Sequence, residues 1–304
     1  MDIFKTLREN FSLSNIKEQV TSAKNTAQMI ESLLTLLQDN KISASVKEML
    51  TNLKVVVVDQ PNIVSINHFV NHFLLKLNPE NQPIVLKELL EVFHERWKHV
   101  DRKTAQVAFN LYNFKNKRIA FFGQSESMLS LIDLCAVNQA HCKVVQILGK
   151  NDKESKEQAI AIRAKNTEVT TIDIFNTGRL RDKIDFLVLS SDIIMHETFI
   201  AKSGTHLLAT WAKKNHIPVL VLSDSRKILN KKILPASVLG SFINESPKGA
   251  AEIWKSAPEN IEIINYHLEE VENHLVDFFV LEQQAYPPAE LSLEVDKILV
   301  SKFI

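Results

Sequence analysis

The chain of 304 residues is 45% hydrophobic and 24% charged, which is an ordinary globular composition for one large or two ordinary domains. Its 36 basic residues equal its 36 acidic residues, and this balance argues against a general nucleic-acid-binding protein, which needs a basic surface. The 6 glycines form neither a P-loop nor a dinucleotide fingerprint, so we expect neither P-loop nucleotide hydrolysis nor a nicotinamide cofactor.

Apolar runs, the first residues and the cysteines indicate in which cellular compartment the protein is expected. The apolar runs are far shorter than the roughly 18 residues of a membrane span, and the first residues lack the apolar core of a signal peptide. Cys135 and Cys142 form no disulfide framework, and the histidines show no metal-ligand spacing. We therefore expect a cytoplasmic protein with two reduced thiols and no metal, cofactor, membrane or direct nucleic-acid partner.

The first third of the chain is predicted to be helical. Leucine and isoleucine repeat at helical spacing, and Asp39-Asn40 interrupts the first such stretch. A later segment begins after Pro83 and carries a broad apolar face. We predict helices within residues 12–54 and at 64–77, 82–99 and 100–113.

From about residue 115, short apolar runs alternate with helical segments. This alternation is typical of a parallel sheet with helices on both faces. We therefore predict the α/β class, with an N-terminal helical domain at 1–115 and a Rossmann-like, doubly wound parallel sheet at 116–304. The runs expected to form strands are Ile119–Phe122, Lys143–Leu148, Val169–Ile174, Phe186–Leu189, Val219–Leu222 and Glu262–Asn265.

Polar residues follow the fourth and fifth of these runs. Asp192 follows the fourth run after Ser190-Ser191, Lys202 precedes Gly204 and Thr205 at the start of a predicted helix, and Lys227 comes after the fifth. Ligands of open parallel sheets bind outside the carboxyl ends of the strands, where these residues would meet. A carboxylate, two ammonium groups and a helix N-terminus suit a small phosphorylated ligand.

A second candidate position follows the first predicted strand. Gly123 ends that strand, and Ser125 or Ser127 then begins a helix whose free N–H groups would suit a phosphate. Each serine has the alternative of being an ordinary helix cap, as does Thr205. Asp192 has three alternatives: a ligand contact, an acid–base role in an enzyme, or a structural role in a loop.

The stretch 185–227 resembles the signature of a family that joins the regulatory alpha, beta and delta subunits of eukaryotic translation initiation factor 2B to two sugar-phosphate isomerases. Fainter resemblance extends to residues 60–68 and 274–288. The chain departs from the family by lacking an Asn-Gly turn and by having Ser190-Ser191 and Ala201 in place of Gly-Ala and Asn. The matching positions are Asp192, Lys202, Gly204-Thr205, Ile217-Pro218 and Lys227.

The resemblance bears on catalysis through Gly123. The isomerases, which act on methylthioribose-1-phosphate and ribose-1,5-bisphosphate, carry a catalytic Cys at the matching position. The beta and delta regulatory subunits carry Gly there, followed two residues later by Ser, as Ser125 follows here. An aldose–ketose shift needs a group that moves a proton or hydride and an acid–base partner, so Asp192 would be catalytic only if the chain is an enzyme.

The resemblance implies a protein similar to the initiation factor 2B regulatory subunits, without catalysis, that binds a phosphorylated sugar or nucleotide. It also implies a homodimer formed through the C-terminal domain, with residues 262–304 contributing, and other initiation factor subunits as partners. Two alternatives remain open: a sugar-phosphate aldose–ketose isomerase of the methylthioribose-1-phosphate or ribose-1,5-bisphosphate type, and a scaffold that binds no ligand. The lost Asn-Gly, Gly-Ala and Cys favour the regulatory and scaffold functions over the isomerase.

Overall fold

The computed structural model describes residues 64–77, 83–149, 152–229 and 249–297, which fall into two compact units. The helices predicted within residues 12–54, and the family resemblance at 60–63, lie outside the described residues. The first unit contains residues 64–77, 83–100, 226–229 and 296–297, and the second contains 101–149, 152–225 and 249–295.

The first unit is built around aromatic side chains on two helices, α1 (Val64–Lys76) and α2 (Pro83–Trp97). Phe69 and Phe73 of α1 and Phe93 of α2 are almost completely buried. The rings of Phe69 and Phe93 meet edge to face with centroids 5.1 Å apart, an arrangement that adds stability beyond simple burial. The predicted helices at 64–77 and 82–99 are confirmed.

The next helix, α3 (Val100–Leu111), also matches its prediction, and from Asp101 onward it belongs to the second unit. Ala105 and Ala108 are fully buried in the same hydrophobic cluster as Ile119. These small side chains tie α3 to the core of the sheet. The division of the structure therefore falls at residues 100/101, whereas the sequence pattern changes near residue 115.

Seven strands of the second unit form its main sheet, in the order β10-β9-β7-β4-β1-β2-β3. All neighbouring pairs are parallel except β9 with β10. The sheet confirms the predicted α/β class and five of the six predicted strands. Its strands are β1 (Arg118–Phe122), β2 (Lys143–Leu148), β3 (Glu168–Asp173), β4 (Phe186–Ser190), β7 (Val219–Leu222), β9 (Phe278–Val280) and β10 (Ala285–Tyr286).

The middle of this sheet is buried on both faces. β1 pairs with β4 in the register Ile119 with Phe186 and Ala120 with Leu187, and all four side chains are buried. Strands covered on both faces are expected to be continuous apolar runs, which these are. The remaining helices of the unit are α4 (Glu126–Val137), α5 (Lys153–Ala164), α6 (Thr205–Lys214) and α7 (Pro288–Lys297).

A smaller antiparallel sheet contains β5 (Ile193–Ile194), β6 (Thr198–Lys202) and β8 (Leu268–Glu272), in the order β5-β6-β8. Its first two strands occupy a stretch expected to be a loop, so Lys202 ends a strand. Residues 262–265 form no strand, and that prediction was wrong. Ile264 is 66% exposed, so this apolar stretch has no sheet to cover it.

None of the helices within the described ranges has the length and apolar character needed to cross a membrane.

Candidate functional site

Three parallel strands of the main sheet bring their carboxyl ends to one edge. β1 lies between β4 and β2, and these strands end at Phe122, Ser190 and Leu148. The segments that follow them therefore start side by side, at the position where open parallel sheets bind ligands. The candidate site of the second unit is assembled here.

Of the two candidate lysines, Lys202 is the one that belongs to the second unit. Its Nζ lies 2.5 Å from Oδ1 of Asp152 and 3.9 Å from Oε2 of Glu154. The ammonium group also lies 5.6 Å from the ring centroid of Phe122, a distance that permits a cation–π interaction. The side chain keeps 29% of its surface exposed, so solvent and small solutes can reach it.

Backbone hydrogen bonds fix the position of the Asp152 carboxylate that binds Lys202. Asp152 is the N-cap of α5, and its carboxylate accepts the backbone N–H of Gly149 at 2.9 Å and that of Ser155 at 3.0 Å. Burial raises the pKa of Asp152, but the hydrogen bonds from Lys202 and the two amides outweigh burial and lower the pKa below its ordinary value. The carboxylate is therefore ionised at neutral pH.

Two further carboxylates influence the same place. Asp192 is exposed between β4 and β5, and its backbone N–H donates to the carbonyl of Ile200 at 2.9 Å. The pKa of Glu154 is raised, first by burial, while Lys202 lowers it and both Asp152 and Asp192 raise it. The predicted Asp192 and Lys202 thus both act electrostatically on Glu154.

Gly123 lies close to Lys202 and has a backbone conformation that favours glycine. Its φ of +87° lies in the left-handed region. A Cβ added there would lie 3.6 Å from Oγ of Ser190 and 4.0 Å from Cδ of Lys202, which are ordinary contact distances. The amide of the buried Gln146 donates to the carbonyl of Gly123 at 3.2 Å and fixes this turn.

The predicted serines after Gly123 bond within the protein. Ser125 is the N-cap of α4 and accepts the backbone N–H of Ser127 at 3.2 Å, while its own N–H donates to Gln158 at 2.7 Å. Ser127 is buried, and its hydroxyl donates to Asp101 at 2.7 Å. In this arrangement both serines stabilise the start of α4.

The start of α6 carries the next pair of predicted residues. Gly204 has φ of +104° and supplies no side-chain cap. Instead, Oε1 of Glu269 accepts the backbone N–H groups of Gly204 and His206, each at 2.8 Å. The hydroxyl of Thr205 donates to the carbonyl of Lys202 at 2.6 Å. A carboxylate of the chain itself therefore occupies the helix N-terminus proposed for a phosphate.

The remaining predicted residue, Lys227, ends a short 3₁₀ helix and belongs to the first unit. The other candidate residues all belong to the second unit. The loop that leads to Lys227 is held by Glu282, which accepts the backbone N–H of Ser225 at 2.9 Å and its hydroxyl at 2.6 Å.

The two cysteines lie in the hydrophobic core of the second unit, where Cys135 is 1% and Cys142 is 7% exposed. The hydrogen bond between the two thiols, together with burial, raises the pKa of Cys135 above its ordinary value. A buried and protonated thiol is a poor nucleophile.

Sequence reasoning missed Asp152, Glu154 and Glu269. The sequence could have predicted the position of Asp152, because an acidic residue that follows a strand and begins a helix is a typical N-cap. Glu269 had no such signal, because its partner lies 65 residues away in the sequence. Within the part of the chain that the structure describes, no group of three or more His, Cys, Asp or Glu side chains could hold a metal ion.

Comparison with known proteins relates this fold to one family. The model of the initiation factor 2 subunit family matches residues 18–288. A search of curated proteins found no match.

Solved structures show the same fold at low sequence identity. The translation initiation factor eIF-2B of Pyrococcus horikoshii OT3 is 18% identical, with a TM-score of 0.71 over 95% of this chain and 96% of that one. The 5-methylthioribose 1-phosphate isomerase of the same organism is 11% identical, with a TM-score of 0.70 over 96% of this chain and 86% of that one. A chain of the tetrameric eIF2B-beta2-delta2 complex from C. thermophilum is 11% identical, with a TM-score of 0.66 over 96% and 93%. An initiation factor and an isomerase share the fold, so function must be argued from the site.

Proposed function

The chain belongs to the initiation factor 2 subunit family, and from this membership we propose that it is a cytoplasmic protein similar to the initiation factor 2B regulatory subunits. It binds a phosphorylated sugar or nucleotide at the carboxyl edge of the main sheet and does not catalyse its isomerisation. It uses no metal or organic cofactor.

The absence of catalysis is supported by one observation above the others. Gly123, at the position that resembles the catalytic Cys of the isomerases, places no thiol beside Lys202. The two thiols of the described residues, Cys135 and Cys142, are buried in the core, where Cys135 is held protonated. An aldose–ketose shift at Asp192 would require a second acid–base group in the site, and each such group typically contributes about 10²–10⁴-fold to rate.

Ligand binding is supported by the chemistry of Lys202 and Asp192. A partly exposed ammonium group can bind a phosphate, and an exposed carboxylate can accept hydrogen bonds from sugar hydroxyls. Gly123 is buried and places no side chain against Lys202. Asp152 already neutralises the charge of Lys202, so we expect modest affinity.

The carboxylates support a second candidate function, a scaffold that binds no small molecule. Asp152 already neutralises Lys202, and Glu269 already accepts the amides at the start of α6. In a site of this kind the anion-binding groups serve the stability of the fold.

Protein partners are part of the proposal. We propose a homodimer formed through the C-terminal domain, with other initiation factor subunits as further partners. Large apolar side chains are unusually exposed along residues 253–266, which is typical of an interaction surface. They are Ile253, Trp254, Ile261, Ile264 and Tyr266. Sedimentation velocity of the wild type and of an Ile264→Glu variant tests the dimer, because a charge in the interface should shift the protein towards the monomer.

Thermal denaturation with ribose 5-phosphate or AMP separates the two candidate functions. A ligand at about 100 times its dissociation constant stabilises the folded state by roughly 2.7 kcal/mol. We expect a stabilised wild type and a Lys202→Ala variant that does not respond. Lys165→Ala is the matched control, because Lys165 forms a comparable pair with Asp133 at 2.6 Å on the protein surface. If neither compound shifts the wild-type transition, the scaffold is the correct function.

A further inference from the structure

We infer that Asp152 is an internal competitor of the ligand, and that this one carboxylate sets how tightly the site binds a phosphate. The inference deepens the proposed function and rests on it, because it concerns the same ammonium group, Lys202. It predicts that Asp152 weakens phosphate binding in the wild type, and that one substitution at this position strengthens the binding.

The first argument is the geometry of the pair. Oδ1 of Asp152 lies 2.5 Å from Nζ of Lys202, so the carboxylate and the ammonium group form a charge-assisted hydrogen bond. A phosphate oxygen would make the same kind of bond to the same ammonium group. Asp152 already neutralises the positive charge that would attract a phosphate, so the two anions compete for Lys202 and binding a phosphate costs part of the energy of the existing pair.

The second argument concerns which partner can move. The Asp152 side chain is 1% exposed and caps α5, whereas Lys202 is 29% exposed on a flexible four-carbon stem. Lys202 is thus free to turn towards solvent while Asp152 stays in place. Exchange needs a rotation of one side chain and no movement of the backbone.

The third argument is that Asp152 remains satisfied after the exchange. Its carboxylate still accepts the N–H of Gly149 at 2.9 Å and that of Ser155 at 3.0 Å. A buried carboxylate without hydrogen bonds would make release of Lys202 prohibitive, but two amides remain. The carboxylate therefore keeps two hydrogen bonds when the pair opens, and the cost of opening is confined to the loss of its positively charged partner.

Calorimetric titration with ribose 5-phosphate tests the inference in the wild type and an Asp152→Asn variant. Asparagine is also a good N-cap, so we expect the variant to fold. We expect it to bind ribose 5-phosphate about tenfold more tightly, the effect of removing one hydrogen bond to a charged group. Adding Lys202→Ala to this variant should abolish the gain.

The matched control is Asp133→Asn, which removes a carboxylate from Lys165 at the surface and changes the net charge by the same amount. Equal tightening in the control would assign the effect to net charge and overturn the inference. Unchanged or weaker binding by a folded Asp152→Asn protein would also overturn it, as would a failure of both proteins to bind. Binding by the variant but not by the wild type would uphold the inference while refuting ligand binding as the native function.

Discussion

Oε1 of Glu269 lies 2.8 Å from the backbone nitrogen of Gly204, so a residue of β8 caps the start of α6. The same oxygen accepts the N–H of His206 at 2.8 Å. Gly204 has no side chain of its own to satisfy these amides, and a carboxylate at a helix N-terminus also interacts favourably with the helix dipole. This long-range cap links the small antiparallel sheet to the helix that follows Lys202.

We expect Glu269→Ala to lower the free energy of unfolding by about 1 kcal/mol, the usual effect of losing a helix cap. Glu269→Gln should lose less, because its amide oxygen can still accept the two N–H groups. Urea denaturation measures both changes. Glu259, which is exposed, provides the control substitution Glu259→Ala. Equal stabilities for Glu269→Ala and the control would show that the cap contributes nothing.

The two glycines of the site differ in the space around them. Gly123→Ala and Gly204→Ala both place a side chain at positive φ, which costs roughly 1–2 kcal/mol. An added Cβ at Gly204 would also lie 2.5 Å from Cδ1 of Ile174, so that side chain would have to move. We expect Gly204→Ala to be the more destabilising change in thermal denaturation. The reverse order would contradict the described packing.

The lowered pKa of Asp152 predicts how its contribution to stability depends on pH. An acid whose pKa is lower in the folded state stabilises that state above the unfolded pKa, about 3.9 for Asp, and the contribution is lost as the pH falls through the folded pKa. The difference in urea midpoint between wild type and Asp152→Asn should therefore be larger at pH 7 than at pH 3. A difference in urea midpoint that does not change with pH would show that the pKa of Asp152 is not lowered in the folded protein.

The buried thiols should react slowly in the native protein. Cys135 is 1% exposed and has a raised pKa, so little thiolate is available to attack a disulfide reagent. We expect Ellman's reagent to modify both cysteines in guanidinium chloride and neither of them rapidly in buffer. Fast modification without denaturant would place a reactive thiol within reach of ligands, and it would reopen the isomerase alternative.

The sequence predicted the strands of the main sheet best where both faces are covered. β1, β4 and β7 are continuous apolar runs with polar residues after them, and this pattern alone located Gly123 and Asp192. The partner of Lys202 was not predicted, because Asp152 lies 50 residues away in the sequence and comes to it only through the fold. Glu269 depends in the same way on the pairing of β6 with β8. Short-range signals identified the candidate residues, and long-range pairing determined which of them neutralise each other.

Phosphorus NMR of 5-methylthioribose 1-phosphate in the presence of the wild-type protein tests most directly whether the site binds a phosphorylated sugar without converting it. The phosphorus resonance of 5-methylthioribose 1-phosphate should broaden or shift on binding, return to its free position and width when excess ribose 5-phosphate competes for the site, and keep its intensity over hours. A growing second resonance, absent with Asp192→Asn, would identify an isomerase. A resonance unaffected by the protein would show that this sugar phosphate does not bind.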